Sequence, residues 1–167
     1  MLNKAYYKSP IGIIEIVEYN DAIIRLDFVE KEAEYDEDMP EMLKRCLIEL
    51  DEYFKGERRE FTVKVDLCGT DFQNKVWQEL CNIPYGETIS YKEQAKRVGN
   101  PKAIRAVGLA NSKNPVGIIV PCHRVIGSNG KLTGYAGGLW RKEWLIEHEK
   151  RVLNNAKGNN IFEVKYK

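Results

Sequence analysis

The 167-residue chain predicts a small α/β domain at the N-terminus, followed by a mostly α-helical domain that contains a helix-turn-helix-like unit. Apolar residues alternate with polar ones through about the first thirty positions, as in half-buried β-strands, whereas beyond residue 70 they repeat at a helical period. Charge divides the chain at the same place: residues 1–69 carry 10 basic and 17 acidic side chains, and residues 70–167 carry 16 and 8. We therefore predict domains at 1–68 and 69–153, and a polar tail at 154–167.

The N-terminal domain is predicted to hold four strands and one helix. Turn signals at Pro10 and at Asn20-Asp21 separate three alternating, β-branched segments. Pro40 suits the start of a helix, and Gly56 ends the apolar helical period that follows. We interpret this domain as a scaffold, because its sequence shows no cluster of reactive side chains. The predicted strands are residues 4–8, 11–18, 22–29 and 61–67, and an acidic loop spans residues 30–38.

Three short helices are predicted to open the second domain. Asp71 is the expected N-cap of the first helix. Ser90 and Glu93 have the spacing of a capping box for the second, and Gly99 supplies its C-cap. Asn100-Pro101 then fits the N-cap and first turn of the third. Two helices around so tight a turn are typical of helix-turn-helix units, although enzymes also contain this arrangement.

The third helix is predicted to have an apolar inner face and a small outer face. Small side chains let a helix sit deep in a nucleic-acid groove, and one long cation can reach the base stack. The surrounding stretch, residues 88–131, contains eight basic residues and a single acidic one. This excess predicts a polyanionic partner. The outer face holds Arg105, Gly108 and Ser112, and the inner face holds Ala103, Ala106, Val107 and Ala110.

A short apolar run at residues 116–120 leads into a cysteine that is followed directly by a histidine. The run is β-branched and bounded by prolines, so it predicts an interior strand that ends at Pro121. Cys122 would then lie at the end of a rigid element. A lone cysteine is often a small buried hydrophobe, but His123 and Arg124 could lower the pKa of this thiol. The residues alone leave both interpretations open.

Composition disfavours metal and membrane sites. The four cysteines have no metal-type spacing and no histidine precedes His123, so we expect no bound metal and free thiols in a reducing compartment. The first residues show no signal-peptide apolar region, and no apolar run is long enough to span a bilayer. We therefore expect a cytoplasmic protein with no membrane partner.

The sequence Pro121-Cys122-His123-Arg124-Val125 resembles the active-site motif of the O6-alkylguanine-DNA alkyltransferases, also called methylated-DNA–protein-cysteine methyltransferases. Asn114-Pro115 lies before it at the family's spacing, and residues 134–138 (Gly-Tyr-Ala-Gly-Gly) follow it. Residues 142–149 complete the pattern, and residues 100–108 resemble the family's DNA-binding helix. The resemblance covers about residues 72–151 and is looser in the N-terminal third.

This resemblance implies a ribonuclease H-like N-terminal domain and a winged helix-turn-helix-like DNA-binding unit. It implies DNA repair by direct damage reversal, with double-stranded DNA containing O6-alkylguanine as the partner. One alkyl group, from O6-alkylguanine or O4-alkylthymine, would move to Cys122 and inactivate it irreversibly. It further implies a monomer that uses no cofactor. Relatives that bind such lesions without repairing them have Trp at the position of Cys122.

The resemblance also implies catalytic roles. Cys122 would be the nucleophile, His123 would take its proton through a bridging water, and Glu149 would orient the imidazole. Asn114 would hold the active-site turn. Tyr91 would give a proton or hydrogen bond to the departing guanine.

Binding roles follow from the same resemblance. Arg105 would fill the gap that a flipped nucleotide leaves in the base stack. The pocket for the flipped base would be lined by Val125, Tyr135 and Ala136. The DNA-contacting set would comprise Ser90, Lys102, Arg105, Gly108, Ser112 and Arg124.

Two other functions fit the residues. One is a non-enzymatic helix-turn-helix DNA-binding protein in which Cys122 is structural. The other is a Cys–His hydrolase that acts on a small ester or thioester. Selective labelling of Cys122 by a thiol probe would argue against the first, and alkyl transfer from O6-benzylguanine would argue against the second.

Overall fold

The computed structural model describes residues 1–34 and 38–166, with side chains up to residue 156. It opens with an antiparallel sheet in the order β1 (Asn3–Ser9), β2 (Gly12–Tyr19) and β3 (Ala22–Val29), as predicted. In the turn between β2 and β3, Asn20 and Asp21 have φ values of 51° and 64°, a left-handed conformation that Asn and Asp tolerate well. The sheet packs on α1 (Glu41–Phe54), with Ile14, Ile16 and Leu43 in the shared core.

The predicted strand at residues 61–67 is wrong, because this segment forms only one isolated bridge to the sheet. Val65 pairs with Ile23 in the parallel sense, through Ile23 N–H to Lys64 O at 2.8 Å and Asp66 N–H to Ile23 O at 3.0 Å. Nearer its start, the Glu49 carboxylate of α1 accepts the N–H of Thr62 at 2.7 Å. A side chain thus takes a backbone donor that a longer ladder would have used.

Three helices follow: α2 (Asp71–Leu80), α3 (Tyr91–Val98) and α4 (Ile104–Ser112). The expected cap at Asp71 is wrong by one residue, since the Thr70 hydroxyl accepts Gln73 N–H at 3.1 Å and the Gln73 side chain accepts Thr70 N–H at 3.0 Å. The second helix starts as predicted, with the Ser90 hydroxyl accepting Glu93 N–H at 3.0 Å. It ends at Gly99, whose φ of 98° is the left-handed conformation of a C-cap glycine.

The start of α4 differs from the prediction. Asn100 forms a turn before the helix: its side-chain oxygen accepts Lys102 N–H at 3.2 Å and its carbonyl accepts Ala103 N–H at 3.0 Å. This turn delays the helix to Ile104. The inner face is also corrected, because Ala106 is exposed and Asn111 is buried instead. The Asn111 amide exchanges two hydrogen bonds with that of Gln94, at 2.9 and 2.7 Å, which fasten α4 to α3.

Residues 116–120 are buried as expected but do not form a strand. Val116 makes one isolated bridge to Leu26, and the chain then turns tightly, with Val120 N–H bonded to Val116 O at 3.0 Å. Ile118 has a φ of 68°, a strained conformation for a β-branched residue that ends any extended ladder. The turn leads into a 3₁₀ helix (Cys122–Arg124) and β5 (Val125–Ile126), which pairs in parallel with β4 (Ile89–Ser90).

The last helix, α5 (Leu139–Tyr166), lies against both the 3₁₀ helix and α1. It continues beyond residue 154, where the sequence analysis placed a tail. Leu145, His148 and Glu149 face inward from it. Across the described residues, no helix is long and apolar enough to cross a membrane.

Candidate active site

Cys122 opens the 3₁₀ helix, immediately after Pro121, and is 9% exposed. The expected strand end is therefore replaced by a turn, which the Asn114 side chain holds at two points. Its amide donates to Val120 O at 2.8 Å and its side-chain oxygen accepts Val116 N–H at 3.0 Å. These two hydrogen bonds hold the turn that precedes Cys122.

His123 lies beside Cys122 and is completely buried. Its Nε2 is 2.7 Å from Oε2 of Glu149, a residue 26 positions later on α5. Its Nδ1 makes no hydrogen bond to any residue that the structure describes. The carboxylate thus fixes the tautomer with the proton on Nε2, and Nδ1 keeps a free lone pair that can accept a proton.

Arg124 supplies the charge that balances Glu149. Its Nε donates to Oε1 at 2.8 Å and its Nη2 donates to Oε2 at 3.1 Å, while Nη1 donates to Ile83 O at 2.7 Å. The assignment of Arg124 to the DNA surface is therefore corrected: its side chain is 8% exposed and its guanidinium faces the interior. The 3₁₀ helix turns both His123 and Arg124 toward α5, and the guanidinium of Arg124 therefore points inward.

Two further donors reach Glu149. Tyr53 on α1 donates its hydroxyl to Oε2 at 2.6 Å, and the N–H of Gly86 donates to Oε1 at 3.0 Å. Burial alone would raise the pKa of Glu149, but His123 and Arg124 outweigh it and hold this pKa well below its usual range. Glu149 is therefore ionised at neutral pH. The structure buries this carboxylate, with 1% of the residue exposed.

The titration of the Cys–His pair is set mainly by burial. Burial raises the pKa of the Cys122 thiol, and the opposing effects of Asn114 and the Lys142 charge do not offset it. Burial also lowers the pKa of His123 despite the neighbouring carboxylate. The expectation that His123 and Arg124 lower the thiol pKa is thus wrong, because Glu149 engages both. The resting site contains a protonated thiol beside a neutral base.

Lys142, on the first turn of α5, is fully buried and approaches the side of Tyr91. Its ammonium donates to the Tyr91 hydroxyl at 3.2 Å and to Thr133 O at 2.7 Å. The Tyr91 hydroxyl in turn donates to Thr133 O at 2.9 Å. The Tyr91 hydroxyl and the Lys142 ammonium therefore share one backbone carbonyl, that of Thr133.

A cavity of about 400 Å³ adjoins Cys122. Tyr135 and Ala136 line it, as the base-pocket prediction expects, and Phe28 and Arg141 form its outer wall. Val125 does not line it among the described residues, because its backbone pairs with Ile89 and its side chain is buried. A larger cavity of about 820 Å³ lies on the other side of residues 118–121 and does not include Cys122 in its described lining.

The predicted DNA-contacting residues, apart from Arg124 and Ser90, lie on α4 or in the turn before it. Lys102, Arg105 and Ser112 are exposed. Gly108 is half-buried, and a Cβ added there would make ordinary van der Waals contact with the Tyr91 ring at 3.8 Å. Ser90 caps α3 with its hydroxyl.

Sequence reasoning missed two residues of this site, Tyr53 and Lys142. Lys142 carried a signal, since it lies three positions before Leu145 and seven before Glu149, on the same face of α5. Tyr53 carried none, because nothing local relates α1 to a carboxylate 96 positions away. Within the described part of the chain, no group of three or more His, Cys, Asp or Glu residues is arranged to hold a metal ion.

Comparisons with known proteins all give one family. The family model for the 6-O-methylguanine DNA methyltransferase DNA-binding domain matches residues 71–151, and the model for the ribonuclease-like domain of the same family matches residues 2–67. A methylated-DNA–protein-cysteine methyltransferase of Mycobacterium leprae is 51% identical over 149 residues, which cover 87% of this chain and 90% of that protein. One from Methanosarcina barkeri is 48% identical over 151 residues, covering 87% and 96%.

Solved structures give the same result. The O6-methylguanine methyltransferase of Mycobacterium tuberculosis superimposes with a TM-score of 0.82 at 47% identity, covering 90% of this chain and 94% of that one. The M. tuberculosis protein in complex with DNA gives a TM-score of 0.80 at 47% identity, covering 88% and 92%.

Proposed function

The chain belongs to the 6-O-methylguanine DNA methyltransferase family, and on this premise we propose that it repairs DNA by moving an alkyl group from guanine O6 to Cys122. O4-alkylthymine is the second substrate we propose. The observation that carries the proposal is the set of buried residues Cys122, His123 and Glu149, in which Nε2 of His123 contacts Glu149 and Nδ1 makes no hydrogen bond to a described residue. This is the nucleophile, base and orienting group that covalent catalysis needs.

The first chemical step is removal of the thiol proton. The proton passes to Nδ1 of His123, through a water in the arrangement that we propose. The imidazole becomes an imidazolium whose Nε2–H is already bonded to ionised Glu149, so the new positive charge is met without reorganisation. Because the resting thiol is protonated, substrate binding and proton transfer have to coincide.

Alkyl transfer then follows by attack of the thiolate on the alkyl carbon. A new S–C bond forms, the C–O6 bond breaks, and the electron pair stays on guanine. A proton or hydrogen bond from Tyr91 meets this developing charge, with the Lys142 ammonium stabilising the phenolate that results. The product is an S-alkylcysteine and guanine restored in the DNA.

DNA recognition is proposed to use α4 and its surroundings. The alkylated oxygen lies inside the duplex, so the nucleotide has to rotate out of the stack. Arg105 is exposed on α4, and we propose that it occupies the vacated position. One copy of the chain contains both this helix and the reacting cysteine, so we propose that a monomer acts on double-stranded DNA.

We further propose that residues 1–68 and 69–153 are separate domains that share one active site. The reaction needs no group to regenerate Cys122, because each molecule reacts once. A neutral thioether is a poor leaving group, so the alkylated protein is the end product.

Labelling experiments test the proposal. Wild-type protein and Cys122→Ser are treated with free O6-benzylguanine and then with a fluorescent maleimide, with Cys46, Cys68 and Cys81 as internal references. We expect O6-benzylguanine to block labelling of Cys122 and to add one benzyl group to the wild type alone. Turnover of the compound without a mass change in the protein would indicate a hydrolase, and no reaction would indicate a DNA-binding protein with a structural cysteine.

A further inference from the structure

We propose that Tyr53 is a positioning residue for proton transfer from Cys122, whose hydroxyl holds the Glu149 carboxylate in the orientation that fixes His123. The proposal rests on the function proposed above. It gives the N-terminal region, residues 1–68, a direct part in the reaction, where the sequence indicated only a scaffold.

The geometry places Tyr53 and His123 on the same oxygen of Glu149, to which Arg124 Nη2 also donates at 3.1 Å. Oε2 accepts the Tyr53 hydroxyl at 2.6 Å and lies 2.7 Å from His123 Nε2. The other oxygen, Oε1, is held by Arg124 Nε at 2.8 Å and Gly86 N–H at 3.0 Å. Rotation of the carboxylate would therefore break bonds on both sides, and Tyr53 fixes the oxygen that faces the base.

Tyr53 is held in place independently of its hydroxyl. Its side chain is completely buried, and its ring packs on Phe54, Phe61 and His148 with centroid distances of 5.3, 5.5 and 5.4 Å. Its backbone carbonyl lies 2.8 Å from His148 Nε2 on α5. A phenylalanine at this position would keep those contacts, so removal of the hydroxyl isolates its effect on Glu149.

The hydroxyl also controls how strongly Glu149 acts on His123. A donor to Oε2 draws negative charge from that oxygen and weakens its pull on the Nε2 proton. Burial raises the pKa of Tyr53 well above its usual range, so the hydroxyl remains a donor. Without this donor, His123 becomes more basic and stays protonated to higher pH. Several charged and titratable groups surround Glu149 and His123: Tyr53 on α1, Tyr85 before β4, Arg124 in the 3₁₀ helix, and Lys142 and His148 on α5.

A matched control lies in the same region. The Tyr7 hydroxyl donates to the carboxylate of Asp51 at 2.9 Å, also between the sheet and α1, and neither residue lines the cavity that adjoins Cys122. Tyr7→Phe therefore removes a tyrosine–carboxylate hydrogen bond of the same kind. Any general cost of such a loss to folding appears in both variants, whereas a change in proton transfer appears in Tyr53→Phe alone.

The experiment measures the pH dependence of Cys122 alkylation in wild type, Tyr53→Phe and Tyr7→Phe. Two probes are used, free O6-benzylguanine and iodoacetamide. We expect Tyr53→Phe to react about tenfold more slowly at neutral pH with O6-benzylguanine, as expected for a lost hydrogen bond to a charged group. The acidic limb of its profile should move to higher pH, because His123 then holds its proton longer. Tyr7→Phe should match the wild type.

The two probes separate this proposal from the proposed function. A shift with iodoacetamide in a protein that never accepts a benzyl group would uphold the role of Tyr53 and reject the alkyl-transfer function. If Tyr53→Phe fails to fold, 3,5-difluorotyrosine at position 53 provides a second variant that keeps the ring and makes its hydroxyl a stronger hydrogen-bond donor. This variant should move the acidic limb of the rate–pH profile to lower pH. Superimposable profiles, or equal losses in the Tyr53 and Tyr7 variants, would overturn the proposal.

Discussion

At the scale of single residues, Glu149 links the parts of the candidate site, since it accepts hydrogen bonds from Tyr53, Gly86, His123 and Arg124. We expect Glu149→Gln to slow alkyl transfer, because the imidazolium that forms on His123 loses its counter-charge. The variant also leaves Arg124 buried without a partner charge, which destabilises a fold by about 3–5 kcal/mol. The measurements are the rate–pH profile and the free energy of unfolding.

The exposed neighbour Glu147, on the same helix, provides the control. Glu147→Gln should leave both the profile and the unfolding free energy unchanged. An unaltered profile in Glu149→Gln would mean that Glu149 has no influence on Cys122.

The raised pKa of Cys122 gives a second expectation at this scale. A raised thiol pKa means that the folded protein holds the proton at neutral pH, so the rate of reaction with iodoacetamide should rise as pH increases above 7. Cys46 is an internal reference, because burial raises its pKa to about 12 and it should stay unlabelled throughout. A rate that is already maximal at pH 7 would contradict a protonated resting thiol.

Sequence reasoning reached some of these residues better than others. The adjacency of Cys122 and His123 was visible directly, and the family resemblance pointed to Glu149 as the partner of the imidazole. Arg124 was misassigned because a short 3₁₀ helix, rather than an extended chain, sets its direction. Lys142 and Tyr53 act through contacts between separate elements, which local pattern does not specify.

At the scale of elements, α4 presents Arg105 outward while Asn111 fastens the helix to α3. We expect Arg105→Ala to slow repair of O6-methylguanine in duplex DNA by about tenfold or more, because extrusion of a base costs a few kcal/mol. Reaction with free O6-benzylguanine should remain unchanged, since no base has to be extruded. Single-turnover rates with the two substrates make the comparison.

Lys96→Ala on α3 removes the same charge from another exposed position and serves as the control. It should weaken duplex binding slightly and leave the ratio of the two rates as in the wild type. Equal losses on both substrates in Arg105→Ala would show that this residue is structural.

Strands and helices with a clear periodicity of apolar residues were predicted well, and short buried segments were not. Strands β1 to β3 and helices α1 and α3 follow from alternation, helical spacing and capping residues. Residues 61–67 and 116–120 have strand-like composition, yet side chains of Glu49 and Asn114 bind their backbone groups and replace the ladder. Strand-like composition does not reveal which side chains will bind these backbone groups, because the binding residue can be distant in sequence.

At the scale of the whole molecule, the division of charge predicts how the protein binds DNA. Residues 70–167 carry 16 basic and 8 acidic side chains, and Arg124 is the basic residue in this half that Glu149 neutralises within the site. We expect duplex affinity to fall steeply with salt and to depend weakly on sequence, with a log–log slope of about −0.9 per phosphate contacted. Fluorescence anisotropy across a salt series provides the slope, and an affinity independent of salt would contradict an electrostatic interface.

The central claim, that Cys122 accepts one alkyl group and then stops, is tested most directly by intact-protein mass spectrometry after incubation with excess duplex containing O6-methylguanine. We predict an increase of one methyl group per molecule, mapped to Cys122, with Cys46, Cys68 and Cys81 unmodified. Cys122→Ala should gain no methyl group and should still bind the duplex, because α4 and the basic residues around it are intact. Repair of several lesions per protein molecule, or methyl groups spread over several cysteines, would contradict the account.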